Sequence, residues 1–139
     1  MKSIKAEDFL KQPKEIQKVF LDWWQPEEFD IYVNKELEKH RVTQEDLEDK
    51  ICNYYLRTEY IPLFTEGQLR EFIEDKVESK ISIIHEDNKF RIYTDSDLFG
   101  EYEKEYPEDY SILNAFWNMA VETAKIEFYE KVKNNERLW

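Results

Sequence analysis

Glycine is nearly missing from this sequence: Gly67 and Gly100 are the only two among 139 residues. A phosphate-cradling loop needs several, because the backbone itself must approach the ligand, so both nucleotide-binding fingerprints are excluded. Cysteine is scarcer still. With Cys52 alone no internal disulfide can form, which points to a reducing compartment. A single cysteine among apolar residues reads as packing. Histidine occurs only as His40 and His85. Glu36 would share a helix face with His40, but two side chains do not make a zinc site. No serine stands in a nucleophile elbow. No apolar run approaches the length of a membrane span. The opening Met1-Lys-Ser-Ile-Lys-Ala-Glu-Asp8 has the charge of a signal peptide without the apolar run behind it. These absences predict a cytoplasmic protein with no catalytic residue, no metal site and no cofactor.

What the chain has is acid and aromatic surface. Asp and Glu number 32 against 20 Lys and Arg, for a net charge of -12, and aromatics make up 16%. Such a surface repels phosphate backbones and anionic lipid, which argues against direct nucleic-acid or membrane binding. The same field attracts a basic protein and speeds the encounter.

Hydrophobic periodicity sets the expected fold. After Pro13, residues Ile16, Val19, Phe20, Trp23 and Trp24 form the stripe of a helix buried on one face. Trp23 is expected in the core and Trp24 beside it, where Pro26 stops the helix. Phe29, Ile31 and Val33 alternate like a short strand. Thr43 to Asp46 reads as the cap of one helix running through Leu47, Ile51 and Tyr54. Ile61 to Phe64 is extended by its proline, and Thr65-Glu-Gly-Gln68 opens a helix carrying Leu69, Phe72, Ile73 and Val77. Next, Ile81 to Tyr93 predicts a hairpin turning at Asp87-Asn88, with Glu86 opposite Lys89, His85 opposite Phe90 and Ile83 opposite Ile92. Asp95 to Tyr106 reads as a loop. Pro107 suits the first turn of a long final helix with Leu113, Phe116, Trp117, Ala120, Val121, Ala124 and Phe128 on its stripe. The expected fold is α+β, one compact domain over residues 1–139. Its helices pack around a small antiparallel sheet that includes the hairpin near residues 81–94.

Chemistry is sought in the acidic stretch after the hairpin. Asp95-Ser-Asp-Leu-Phe-Gly100 starts like a calcium loop, but Phe99 and Tyr106 stand where oxygen ligands are required. Acid-x-Lys triplets at Glu48-Asp-Lys50 and Glu74-Asp-Lys76 arise by chance in a chain so rich in both residues. From Glu86 to Tyr110 nine acids face three bases, with six aromatics interleaved. Carboxylates spaced along a surface can imitate nucleic-acid phosphates, and tyrosines add rigid contact area. The candidate partner-binding residues are therefore Asp95, Asp97, Glu101, Tyr102, Glu103, Glu105 and Tyr106. A solvated acidic loop that serves solubility is the plainer reading of the same residues.

Three segments carry a resemblance: Val19-Phe-Leu-Asp-Trp-Trp-Gln-Pro26, Ile61 through Lys76, and Leu113-Asn-Ala-Phe-Trp-Asn-Met-Ala120. Together they resemble a group of small proteins encoded by phages and prophages of Gram-positive bacteria. The resemblance covers the first helix, the capping-box helix and the last helix. It implies a setting, the bacterial host cytoplasm, but no mechanism and no site residues. The expected function is a non-enzymatic phage accessory protein that binds another protein. In its narrower form it is an acidic nucleic-acid mimic that inhibits a host nucleic-acid-binding defence protein. The alternatives are a small metal-dependent nuclease using Asp95 and Asp97, or a module that holds a small ligand between hairpin and helices.

Overall fold

Two stretches of the chain alternate helices with strands, and each gathers its own core. The computed structural model describes residues 2–96 and 100–137, and the chain falls into two compact units, Met1–Thr65 and Glu66–Trp139. Its fold is α+β, with six helices and two antiparallel three-stranded sheets among the described residues. None of these helices is long and apolar enough to cross a membrane.

The first unit begins with α1 (Ala6–Leu10) and α2 (Lys14–Trp23). On α2, Ile16, Val19 and Phe20 are buried as the stripe requires. The two tryptophans exchange the roles expected of them: Trp24 is 2% exposed, while Trp23 is half-buried. The helix ends at Trp23, and Trp24 is already extended (φ -66°, ψ 120°), so its side chain no longer follows the 3.6-residue period. The indole N–H of Trp24 donates to Asp30 Oδ2 at 3.1 Å. That oxygen also accepts the Glu27 N–H at 2.9 Å, so the one polar atom of a buried ring is satisfied. Phe64 sits at the centre of the core, with its ring centroid 5.7 Å from Phe20, 6.0 Å from Trp23 and 6.4 Å from Trp24.

Strands β1 (Ile31–Val33), β2 (Lys39–Arg41) and β3 (Ile61–Pro62) pair in the order β2-β1-β3. All three residues of β1 are buried, so it lacks the half-exposed alternation expected of it. Phe29 lies outside the strand in a left-handed turn (φ 75°). Pro62 is tolerated because β3 is an edge strand, where a missing N–H costs no ladder bond. Between β2 and β3 the single expected helix is two, α3 (Gln44–Glu48) and α4 (Lys50–Thr58). The break is made by Asp49, whose carboxylate accepts the N–H groups of Ile51 and Cys52 and so caps a new helix. Thr43 caps α3 as expected, exchanging bonds with Asp46.

The second unit starts with α5 (Glu66–Val77), where Leu69, Phe72, Ile73 and Val77 are all buried. Strands β4 (Ser82–Glu86), β5 (Lys89–Ser96) and β6 (Gly100–Pro107) follow in the spatial order β4-β5-β6. The hairpin register is as the sequence predicts: Glu86 opposite Lys89, His85 opposite Phe90, Ile83 opposite Ile92. Asp87 and Asn88 both take positive φ, 48° and 62°, as a tight turn matched to the sheet's twist demands. The expected loop from Asp95 to Tyr106 is instead mostly strand, because β5 runs on to Ser96 and β6 pairs along its length. Pro107 closes β6 and does not open the last helix. That helix, α6 (Ile112–Arg137), starts after Ser111, whose hydroxyl accepts the Asn114 N–H at 3.2 Å. Its buried arc includes Ala115, Met119 and Thr123 besides Phe116, Trp117, Ala120, Val121 and Ala124 of the predicted stripe, because it packs on α5 and beneath the sheet. Leu113 and Phe128 of that stripe are half-buried.

Candidate functional site

Alternation along a strand sorts the predicted site residues into two groups. Asp95 lies on β5, and Glu101, Glu103 and Glu105 lie on β6 with Asp95 directly opposite Glu101. These four side chains are exposed on the open face of the sheet. Tyr102 and Tyr106 fall between them and therefore point to the other face, where their hydroxyls reach the α6 carbonyls of Met119 and Ala115 at 3.4 and 3.5 Å. Expecting rings and carboxylates on one contact surface is thus corrected by the pleat. Asp97 lies outside the described residues, as does Phe99.

The inner face is a packing surface. Phe90 and Ile92 are buried, Phe90 stacks on Tyr106 at 5.5 Å, and Tyr106 on Tyr110 at 4.9 Å. Lys104, also inward, pairs with Glu122 of α6 at 3.2 Å. Burial first, then the Glu122 carboxylate, pushes the Tyr102 hydroxyl well above the usual tyrosine range. Tyr106 is raised too, by burial first and then by Tyr110 and Glu122. Both are held neutral as anchors of the sheet on its helix.

The open face concentrates negative charge unevenly. Near the hairpin turn, Lys89 reaches Glu105 at 3.3 Å and Arg91 reaches Glu103 at 3.4 Å. Both are diagonal pairs, within reach of long side chains on a twisted sheet. Toward the far end, Asp95 and Glu101 oppose each other, and no base among the described residues forms an ion pair with either. Like charges directly opposite destabilise a sheet. Tyr93 registers the local field: desolvation raises its hydroxyl pKa first, then Asp95, Glu101 and Glu103 add to it against Arg91.

A second surface, in the first unit, is one the sequence reading does not single out. His40 stacks on Tyr32 at 5.6 Å, Tyr32 on Tyr60 at 5.1 Å, and Tyr60 lies 6.0 Å from Tyr55. Tyr55 and Tyr60 line a depression of about 200 Å³ with Asn34, Lys35 and Glu36. The Lys35 ammonium lies 5.9 Å from the Tyr55 ring centre and 3.4 Å from Glu59. A depression this small, with its cation position taken from within the chain, is below the usual size of a small-molecule site. The stacked rings of this surface come from β1, β2, α4 and the turn after α4, so no local periodicity announces them. A wider dish of about 430 Å³ surrounds the hairpin turn, lined by Asp87, Asn88, Lys89, Glu105, Tyr106 and Pro107. Among the described residues no three His, Cys, Asp or Glu side chains are grouped to hold a metal ion. Compared with known proteins, the chain matches no family model, no curated protein and no solved structure.

Proposed function

We propose that this chain is a non-enzymatic binding protein that receives a basic protein on the open face of the β4-β5-β6 sheet. The observation that carries the reading is the pair Asp95 and Glu101, opposed across the ladder with no base among the described residues paired to either. The pair costs the fold stability when the protein is alone, and a partner's cation placed between the two carboxylates relieves that cost. The setting in a phage-infected Gram-positive host rests on the three-segment resemblance, and a nucleic-acid-binding defence protein as the target is the narrower form of the acidic-surface proposal.

Magnitudes favour a basic peptide surface over full nucleic-acid mimicry. Glutamates at every second residue of a strand stand about 7 Å apart, whereas one nucleic-acid strand carries a charge about every 3.4 Å of axis. The row on β6 thus has roughly half the line charge of a single strand, before Lys89 and Arg91 neutralise two of its members.

The test uses a lysine- and arginine-rich peptide as probe. Reversing Asp95, Glu101 and Glu103 to lysine should slow association and flatten its salt dependence. Reversing Glu7, Glu15 and Glu28, exposed acids of the other unit, should change little. If both triple variants lose binding equally, general charge explains the attraction and the sheet face has no special role.

A further inference from the structure

Strand β6 forms an edge of its sheet, and no further strand pairs with it among the described residues. Which backbone groups that edge offers follows from the turn. A two-residue hairpin loop makes Glu86 and Lys89 a pair that exchanges both ladder bonds. Direction then alternates, so Phe90, Ile92 and Thr94 turn their N–H and C=O groups toward β6 and meet Tyr106, Lys104 and Tyr102. Two bonds outside the ladders fit this phase. The Glu108 N–H donates to the Asn88 carbonyl at 3.1 Å on the β6 side. The Asp95 carbonyl, pointing the other way, accepts the Ser79 hydroxyl at 3.0 Å. The N–H and C=O groups of Glu101, Glu103 and Glu105 therefore aim out of the sheet, and none bonds to another described residue.

We infer that this edge receives an extended segment of the partner as a fourth strand, with lysine or arginine at every second position. The inference rests on the acidic-face reading and adds to it the part played by the backbone. Outward amides and exposed carboxylates coincide on Glu101, Glu103 and Glu105, of which Glu103 and Glu105 also pair with Arg91 and Lys89, so a docked strand makes both contacts in one register. Its cations lie opposite Glu101, Glu103 and Glu105 on the open face. Its intervening side chains fall beside Tyr102 and Tyr106, where apolar or hydroxyl-bearing groups fit, since Lys104 is already bonded to Glu122. A second copy of this chain does not suit the edge. Two-fold antiparallel pairing keeps the same faces together and sets glutamate against glutamate, which is destabilising. The charges that guard the edge against self-pairing are the ones that admit a basic strand.

The experiment compares the peptide acetyl-Thr-Lys-Val-Lys-Val-Lys-Thr-amide with the same peptide N-methylated at its three lysines, which keeps the charge and removes the paired amides. The unmethylated peptide should slow hydrogen exchange at the Glu101, Glu103 and Glu105 amides about tenfold or more, and the methylated one should bind about tenfold more weakly. Exchange at Tyr102, Lys104 and Tyr106, already bonded to β5, should hardly change. Among protein variants, Glu103→Pro, tolerable where the N–H points outward, should lose more affinity than Glu103→Gln. Equal affinity for the two peptides without amide protection, or equal loss in the two variants, overturns strand addition and leaves the acidic-face reading standing. Binding of neither peptide at low salt overturns both.

Discussion

The two sheets of this chain are built on different principles. In the first unit the strands have three, three and two residues, too few for a ladder to hold on its own. Order there comes from rings: Phe20, Trp23 and Trp24 around Phe64, Phe9 against Phe20, and the His40–Tyr32–Tyr60 stack. In the second unit strands of five, eight and eight residues form a regular meander whose one face is buried and whose other face is left open. The first arrangement closes its core with rings, although Phe29, Tyr54 and Tyr55 remain exposed. The second keeps a whole face and an edge exposed, and the excess of acid follows it: eighteen acids against ten bases from Glu66 onward, fourteen against ten before it.

Truncating the ring core is the hardest way to break this contrast. Phe64→Ala and Trp24→Ala should each cost about 3–5 kcal/mol, the usual range for a buried aromatic. Trp23→Ala, at a half-buried ring, should cost clearly less. Urea denaturation of the three variants checks the order, and a Trp23 variant less stable than the Trp24 variant would mean that α2 continues through Trp24. In the meander the corresponding weak point is a turn. Asn88→Val should cost about 1–2 kcal/mol, because a β-branched residue resists positive φ. Asn88→Gly should be tolerated. Thermal melts separate the two.

This contrast also explains what the sequence made legible. The hairpin was readable to the residue because Asp87-Asn88 fixes a turn type, and the turn type fixes the register. The stripes of α2, α5 and α6 were readable from their period. The exchange of Trp23 and Trp24 was not, because one residue's departure from helical φ and ψ decides it. Nor was the split at Asp49, where a side chain competes for backbone N–H groups within an otherwise helical stretch. The ring stack around Tyr32 is assembled from distant segments and leaves no local signal. As for the candidate site, its carboxylates are legible in the composition, but the dense charge of Asp95 to Tyr106 masks the alternation that sends Tyr102 and Tyr106 inward. The signal that separates them is the period of two in Glu-Tyr-Glu-Lys-Glu-Tyr.

Proton linkage should sharpen the difference between the meander's two faces. Tyr102 and Tyr106 have hydroxyl pKa values raised in the folded state, burial being the first cause. The unfolded chain loses these protons near pH 10, the ordinary tyrosine value of about 10, while the folded chain retains them. The native state then binds more protons, so their contribution is present below about pH 10 and is lost as pH rises beyond it. Urea midpoints measured across that window should fall with pH in the unaltered protein and fall less in Tyr102→Phe. Identical slopes would mean that the hydroxyl is not held against α6.

The smallest expected effect bears most directly on the open face. Most exposed charges contribute little to stability: removing the Lys89–Glu105 pair should cost less than about 1 kcal/mol by double-mutant cycle. Asp95 should differ in sign. It faces Glu101 directly, so Asp95→Asn should stabilise the unbound protein by a few tenths of a kcal/mol, in the range of one cross-strand pair. The gain should shrink as salt is added, because the repulsion it removes lies at the surface and is screened. The same substitution should weaken binding of the basic probe peptide, since the carboxylate that burdens the free sheet is one that the partner's cation satisfies. A gain in stability with unchanged binding would mark Asp95 as a plain surface acid and move the contact to Glu103 and Glu105. A loss of stability would show that Asp95 is bound to something within the fold, and the repulsive pair would no longer carry the functional reading.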